Sequence, residues 1–172
     1  MVCEEQSRAS LVVPIDFHLN TCYHGHMLVK VGITATRKGM SEMQKTTFAR
    51  ELKWLVEQGH TIEFHHGDCI GGDSEADMIV RNIGNSVVHI HPPVNPKYRA
   101  FCAQEGDTVY GMRPYVDRDH DIVNAVDLMY AGPKDHELEE RRGSGTWTSI
   151  RYARERMAEG KGPRKLRILE RD

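Results

Sequence analysis

Two short segments of glycine, hydroxylated and basic residues are the parts of this sequence best suited to chemistry. The first is Thr34-Ala35-Thr36-Arg37-Lys38-Gly39 and the second is Gly143-Ser144-Gly145-Thr146. Glycine lets the backbone approach a ligand closely, and the first amides of a helix carry a partial positive charge without partners inside the helix. Each segment therefore predicts a phosphate-binding turn, with Arg37 and Lys38 as an anion clamp. The alternative is ordinary turn chemistry, with solvated cations and Thr146 as a helix cap.

Each segment stands between a strand pattern and a helix pattern. Val29 to Ile33 is a β-rich apolar run, and Ser41 then begins a helix with Gln44 as the second half of a capping box. Residues 127–131 indicate a buried strand before the second segment. The apolar faces of the two helices are Phe48, Leu52 and Leu55, and Ile150, Ala153 and Met157. Because open α/β folds bind ligands where parallel strands end, we expect both segments at the same edge of one sheet.

Two carboxylates follow the second strand pattern, in the glycine-rich connection 65–73. An acidic side chain after a strand often holds ribose hydroxyls, so Asp68 and Asp73 are candidate ribose ligands. The alternative is that Asp73 is a helix N-cap and Asp68 a turn residue.

Two further candidates lie between the carboxylates and the second glycine turn. Arg118 is placed either to reach a phosphate or to pair with Asp117 or Asp121 on its own helix. His91 follows the strand pattern at 86–90, where it would stack on or hydrogen-bond a ligand base. Both residues therefore join the predicted binding set.

Histidines and cysteines raise the question of a metal site. Cys22, His24 and His26 alternate, as do His89 and His91, and residues 65–69 also combine several ligand types. No pair has the i, i+4 helix spacing or the Cys-x-x-Cys arrangement that favours zinc. The sequence thus predicts no metal site and no resident cofactor.

The bulk composition indicates an ordinary globular protein. The chain has 172 residues, net charge −2, 39% hydrophobic and 28% charged residues, which fits a single well-packed domain and disfavours broad nucleic-acid coating. No apolar run reaches the roughly 20 residues of a membrane span. Its four scattered cysteines and the lack of a secretory-signal pattern predict a cytoplasmic protein.

Strand and helix patterns alternate about five times along the chain. Further strands are predicted at 60–64, 86–90 and 165–169, and further helices after Asp73 and from Arg118 to Val126. This alternation predicts an α/β fold, a Rossmann-like parallel sheet of about five strands with helices on both faces. Residues 1–26 carry no periodic element and are expected to be an N-terminal extension of a domain spanning 27–172.

An ordered set of motifs resembles the SLOG superfamily, the Rossmann-like group of LOG phosphoribohydrolases, DprA-type DNA-binding proteins and nucleotide sensors of bacterial conflict systems. The resemblance covers about residues 27–170. Its motifs are Gly32-Ile33-Thr34-x-Thr36-Arg37-Lys38-Gly39, His66-Gly67-Asp68-x-x-Gly71-x-Asp73, His91-Pro92-Pro93, Arg118, and Gly143-x-Gly145-Thr146-Trp147.

The resemblance implies that this chain binds a nucleotide or nucleotide-derived signalling molecule and forms a homodimer or other homo-oligomer. The motif glycines Gly32, Gly67 and Gly71 are expected among the ligand-binding residues, and no membrane partner is expected. LOG-type enzymes carry a catalytic glutamate at the position that Ser149 occupies here, and serine cannot replace a carboxylate in glycosidic chemistry. A sensor or sequestering protein is therefore the first expectation. The alternative is an N-glycosidase or ribosyl transferase that uses Asp68 or Asp73. A nucleic-acid binder is a third class that the sequence does not favour.

Overall fold

A computed structural model describes residues 26–134 and 143–172, and these form one fully parallel six-stranded sheet with helices on both faces. Residues 1–25 of the predicted extension and residues 135–142 lie outside this description. In chain order the elements are β1 (Leu28–Ala35), α1 (Glu42–Glu57), β2 (Thr61–His66), α2 (Gly72–Ile83), β3 (Ser86–Ile90), a 3-10 turn (Pro96–Tyr98), β4 (Thr108–Val109), α3 (Tyr115–Ala125), β5 (Leu128–Gly132), α4 (Gly145–Ala158) and β6 (Lys165–Ile168).

The strand order is β4-β3-β2-β1-β5-β6, so the direction of winding reverses at β1. The chain moves outward from β1 to β4 and then returns to place β5 on the other side of β1. Such a reversal opens a crevice at the carboxyl ends of the two central strands. The predicted α/β class is confirmed, with six strands rather than five.

Helices α1 and α2 cover one face of the sheet. The predicted apolar face of α1 is fully buried, and the predicted capping box between Ser41 and Gln44 is present. A buried hydrogen bond of 2.9 Å from the Tyr130 hydroxyl to Glu51 Oε2 ties β5 to α1. This face therefore holds the main core, which contains Val29, Val31, Ile33, Phe48, Leu52, Ile62, Phe64, Val80 and Ile90.

Helices α3 and α4 cover part of the opposite face. Close approach of α3 needs Gly32, because a Cβ there would lie 3.0 Å from both Ile122 Cγ2 and Met129 Sδ. Over the outer strands the same face stays open, since Val87 of β3 is 46% exposed and Tyr110, just after β4, is 42% exposed. None of the helices in the described part of the chain is long and apolar enough to cross a bilayer.

Three local expectations are corrected. The sixth strand, β4, lies between the strand predicted at 86–90 and the helix predicted from Arg118, where the sequence predicts no element, because two residues give no periodic signal. Asp73 is not the N-cap of α2; Gly71 is, with φ +85°. Thr146 does not cap α4 either, since Ser144 does.

Candidate functional site

The carboxyl ends of β1 and β5 open into a cleft of about 660 Å³. The two predicted phosphate-binding segments both line it, although about 110 residues of chain separate them. They meet because β1 and β5 are neighbours in the sheet, with Ala35 paired to Gly132. The lining comprises Ile33, Thr34, Ala35, Thr36, Arg37, Lys38, Cys69, Ile70, Asp73, Tyr98, Tyr115, Arg118, Asp119, Lys134, Gly143, Ser144, Gly145 and Thr146.

Cationic side chains outnumber acidic ones in this lining. The four cations are Arg37, Lys38, Arg118 and Lys134, and the two acids are Asp73 and Asp119. A cleft lined mainly by one sign of charge concentrates ligands of the opposite sign. The cleft is therefore electrostatically suited to an anion.

The start of α4 presents backbone amides to the cleft. Gly143 adopts a left-handed backbone with φ +84°, which turns the chain into the helix. Ser144 is the N-cap, and its Oγ accepts a hydrogen bond from the Trp147 amide at 3.4 Å. The amides of Gly145 and Thr146 are the first two of the helix and have no acceptor within it. This turn can therefore donate to a phosphate.

The β1–α1 loop is held rigidly on the other side of the cleft. The Thr36 carbonyl accepts hydrogen bonds from the amides of Gly39 and Gly72, both at 3.0 Å, and the Thr36 amide donates to the Gly132 carbonyl at 3.0 Å. Glycine is required at 71, because a Cβ there would lie 2.4 Å from the Arg37 carbonyl oxygen. The loop is thus fixed against α2 and β5 before any ligand arrives.

Arg118 is buried at the cleft floor, 5% exposed, between two carboxyl groups. Its Nη1 lies 3.6 Å from Asp73 Oδ2, and its Nε lies 3.2 Å from Asp119 Oδ1 without hydrogen-bond geometry. Its Nη2 donates to Cys69 Sγ at 3.4 Å. Gly67 makes room for this guanidinium, since a Cβ there would lie 1.0 Å from Nη1. Arg118 pairs with these two acids, neither of them the Asp117 or Asp121 that the sequence offered.

The predicted glutamate position is occupied by Ser149, and a carboxyl group from α3 lies directly against it. Ser149 Oγ donates to Asp119 Oδ2 at 3.1 Å and accepts from Thr34 Oγ1 at 3.4 Å. Burial raises the pKa of Asp119 to about 6; the charge of Asp73 adds to this, while Arg118 and the Ser149 hydroxyl oppose it. A carboxyl group with this pKa exchanges its proton near neutral pH, as a general acid or base must.

Two aromatic rings stand beside the cations of the cleft. The Arg37 guanidinium lies 4.1 Å from the ring centroid of Tyr98, and that of Arg118 lies 5.6 Å from the ring of Tyr115. Both tyrosines line the cleft and are half-buried. Flat apolar rings of this kind can wall a nucleobase.

Nine of the fourteen predicted ligand residues line the cleft: Thr34, Thr36, Arg37, Asp73, Arg118, Gly143, Ser144, Gly145 and Thr146. The other five are Gly32, Gly67, Asp68, Gly71 and His91. The three glycines have the packing roles given above. Asp68 is fully buried and holds residues 99–102 in place. It accepts hydrogen bonds from Arg99 Nε at 2.7 Å and from the Cys102 amide at 2.9 Å.

His91 faces a second, shallower hollow of about 530 Å³ rather than the cleft. Its ring stacks on Tyr110, with centroids 4.3 Å apart, and burial together with neighbouring positive groups lowers its pKa to about 3. Among the described residues, Asp119, Tyr98 and Tyr115 are cleft residues that sequence reasoning missed. The sequence offered one indication for these three residues, which is that Asp119 directly follows the predicted ligand residue Arg118.

No protein-family model and no curated protein matches this sequence, but solved structures share its fold. A molybdenum cofactor binding protein from Rippkaea orientalis superposes with a TM-score of 0.57 at 14% identity, over 84% of this chain and 77% of that one. The structural-genomics target TM1055 gives 0.51 at 17% identity, over 77% and 71%. The Moco carrier protein from Chlamydomonas reinhardtii gives 0.50 at 16% identity, over 82% and 75%. At these identities the similarity is one of fold.

Proposed function

We propose that this protein binds a nucleotide or a nucleotide-derived signalling molecule in the cleft at the ends of β1 and β5, as a sensor or a sequestering protein. The observation that carries the proposal is the convergence of the 34–38 loop and the 143–146 turn on one cleft with four cationic side chains. Free helix amides and flanking cations are the recurring means of binding phosphate in α/β proteins.

Each part of such a ligand has a matching group in the cleft. The phosphate lies on the amides of Gly145 and Thr146, with Arg37 and Lys38 beside it. Thr34 and Thr36 flank the phosphate as well, and Asp73 holds the ribose hydroxyls. Asp68 takes no part, because both of its oxygens are committed to Arg99 and Cys102.

The SLOG-like motifs and the shared Rossmann-like fold support placing the chain in that superfamily. Two of the structures with this fold are titled as molybdenum-cofactor proteins, so that cofactor belongs among the ligands to be tested. We also infer a homo-oligomer, as the resemblance implies. Light scattering on the purified protein at several concentrations tests the oligomer.

A second function, hydrolysis or transfer at an N-glycosidic bond, is favoured by Asp119. Its carboxyl group lies 3.1 Å from Ser149 Oγ, the position of the catalytic glutamate in LOG-type enzymes. Its raised pKa of about 6 would let it protonate a leaving base and then activate water. In this reaction Asp119 takes the role that the sequence offered to Asp68 or Asp73.

A thermal-unfolding screen tests binding. The panel contains nucleoside mono- and diphosphates, cyclic nucleotides, ADP-ribose derivatives and the molybdenum cofactor. A ligand at one hundred times its Kd stabilises the fold by about 2.7 kcal/mol, or roughly 5–10 °C in Tm. The proposal fails if every compound leaves Tm unchanged.

Chromatography of the same mixtures separates the two functions. A sensor returns each ligand intact, whereas an N-glycosidase releases free base. If base is released, Asp119→Asn should abolish the release without abolishing the thermal shift, because Asn keeps a hydrogen-bond acceptor for Ser149. Undiminished release by this variant would exclude Asp119 as the acid or base.

A further inference from the structure

The open part of the sheet, over β2, β3 and β4, carries a cluster of imidazole and carboxyl groups away from the nucleotide cleft. Glu63 and His65 alternate along β2 and therefore share a face, and His89 of β3 is the register partner of His65. One potential ligand atom from each of the three residues lies within 4.8 Å of the other two. None of the three lines the nucleotide cleft.

We propose that Glu63, His65 and His89 form a binding site for a divalent transition-metal ion of the zinc class. Two imidazoles and one carboxylate make up a ligand set that zinc uses in open, four-coordinate sites. Three protein ligands leave the fourth position for water or an outside ligand. Glu63 and His89 are partly exposed, which gives the ion a route in from solvent.

Only small side-chain movements are needed to close the site. His65 Nε2 already lies 3.0 Å from Glu63 Oε1, and ligand atoms around a tetrahedral zinc ion lie roughly 3.3 Å apart. Since no two of the three ligand atoms lie more than 4.8 Å apart, movements of about 1.5 Å or less bring them to the spacing that zinc requires. Glu63 and His89 are partly exposed and can make these movements. His65 is fixed in place by burial.

The strongest support is that a second layer of hydrogen bonds already orients both histidines. His65 Nδ1 lies 3.0 Å from His91 Nε2, and His89 Nδ1 lies 3.0 Å from the Tyr110 hydroxyl. His65 Nε2 is thereby left facing Glu63, 3.0 Å from its Oε1, and His89 keeps Nε2 as its second ring nitrogen. Metal-binding histidines characteristically bond their other ring nitrogen to such a partner, which fixes the tautomer and the ring direction.

A lysine ammonium stands beside the carboxylate of this cluster. The Lys30 ammonium lies 3.6 Å from Glu63 Oε1 and would compete with the ion, but its side chain is 45% exposed and can swing into solvent.

Zinc uptake by the full-length protein tests the proposal. The apo protein is titrated calorimetrically with zinc chloride at pH 7.5, and bound zinc is counted by elemental analysis. Wild type should bind one equivalent of zinc more than His89→Ala or Glu63→Gln. This difference distinguishes zinc bound at the proposed site from zinc bound by any other thiol or imidazole in the chain. His120→Ala, which removes an imidazole from α3, should behave as wild type. Equal uptake by wild type, His89→Ala and Glu63→Gln would overturn the proposal.

Two milder variants test the geometry in opposite directions. Tyr110→Phe removes only the hydroxyl that orients His89, and should weaken zinc binding by about 10-fold or more. Lys30→Gln removes the competing ammonium, and should tighten binding several-fold. Nonspecific zinc binding would leave both affinities at the wild-type value and would refute the site. Magnesium should give no saturable heat, because it prefers oxygen ligands.

Discussion

The substitution Gly67→Ala isolates the role of the buried arginine at the cleft floor. The new Cβ would lie 1.0 Å from Arg118 Nη1 and 2.3 Å from its Cζ, so the guanidinium must move by roughly 2 Å to restore van der Waals contact. The movement pulls it away from the carboxyl groups of Asp73 and Asp119, whose pKa values burial already raises. Overpacking costs about 1–3 kcal/mol, and loss of a partner for a buried charge about 3–5 kcal/mol. Because the arginine remains in the chain, we expect a loss of about 2–4 kcal/mol.

Urea unfolding measures this loss, with Gly111→Ala as the matched control. A Cβ at Gly111 meets nothing within 4 Å, and both variants change the entropy of the unfolded chain equally. A double-mutant cycle assigns the cause. When Arg118 is already alanine, the new Cβ still lies 2.8 Å from Asp73 Oδ2, so Gly67→Ala should then cost only about 1 kcal/mol. Equal stability of Gly67→Ala and Gly111→Ala, or an unchanged cost in the Arg118→Ala background, would contradict this role of Arg118.

Three further predictions concern single groups. Burial raises the folded-state pKa of Asp119 from its ordinary 3.8 to about 6. Proton binding by Asp119 therefore stabilises the folded protein fully below pH 4, and this stabilisation is lost as the pH rises through 6. Asp119→Asn should therefore stabilise the fold by about 1–3 kcal/mol at pH 7 and by almost nothing at pH 4; equal gains in urea unfolding at both pH values would contradict this. Burial also raises the pKa of the Cys69 thiol to about 11, so peptide mapping after alkylation at pH 8 should find Cys69 unmodified in the folded protein and modified in urea. Ser41→Ala removes the N-cap of α1 and should cost about 1 kcal/mol in the same unfolding assay, with a neutral result excluding the capping box.

Local signals in the sequence were sufficient to predict most of the strands and helices of the fold. The 29–33 run is apolar throughout because β1 is central and covered on both faces, and such runs are typical of buried parallel strands. The Ser41 and Gln44 pair specifies the start of α1 by two hydrogen bonds made within four residues. Strand β4 could not be predicted, because its two residues are defined only by pairing with His89 and Ile90.

The residues of the candidate site also divide into those with a local sequence signal and those that only packing brings together. The position of Thr36, Arg37, Gly143 and Ser144 in the cleft lining could be predicted, because a glycine or hydroxyl next to a helix start has a local geometric meaning. Their role in ligand binding stays a prediction. The position of Asp119 could not be predicted, because its proximity to Ser149 depends on how α3 packs against α4. The ion pair of Asp68 with Arg99 was equally beyond the sequence, because the two residues are 31 positions apart and meet only in the fold.

The same limit applies to the proposed metal site. Sequence spacing reveals ligands that share one helix or one Cys-x-x-Cys turn, whereas His65 and His89 meet only through the register of β2 and β3. Their separation of 24 positions carries no signal until the strands are paired.

Calorimetric titration with the compound that most stabilises the fold is the most direct test of the proposed ligand binding in the cleft at the ends of β1 and β5. Wild type should bind it saturably with one site per chain, and Arg37→Gln should weaken binding by about 10-fold or more, since a charge-assisted phosphate contact contributes about 1.5–3 kcal/mol. Arg50→Gln, on the exposed surface of α1, should bind as wild type does. Equal affinity in all three proteins would show that the ligand lies elsewhere and would contradict the proposed cleft.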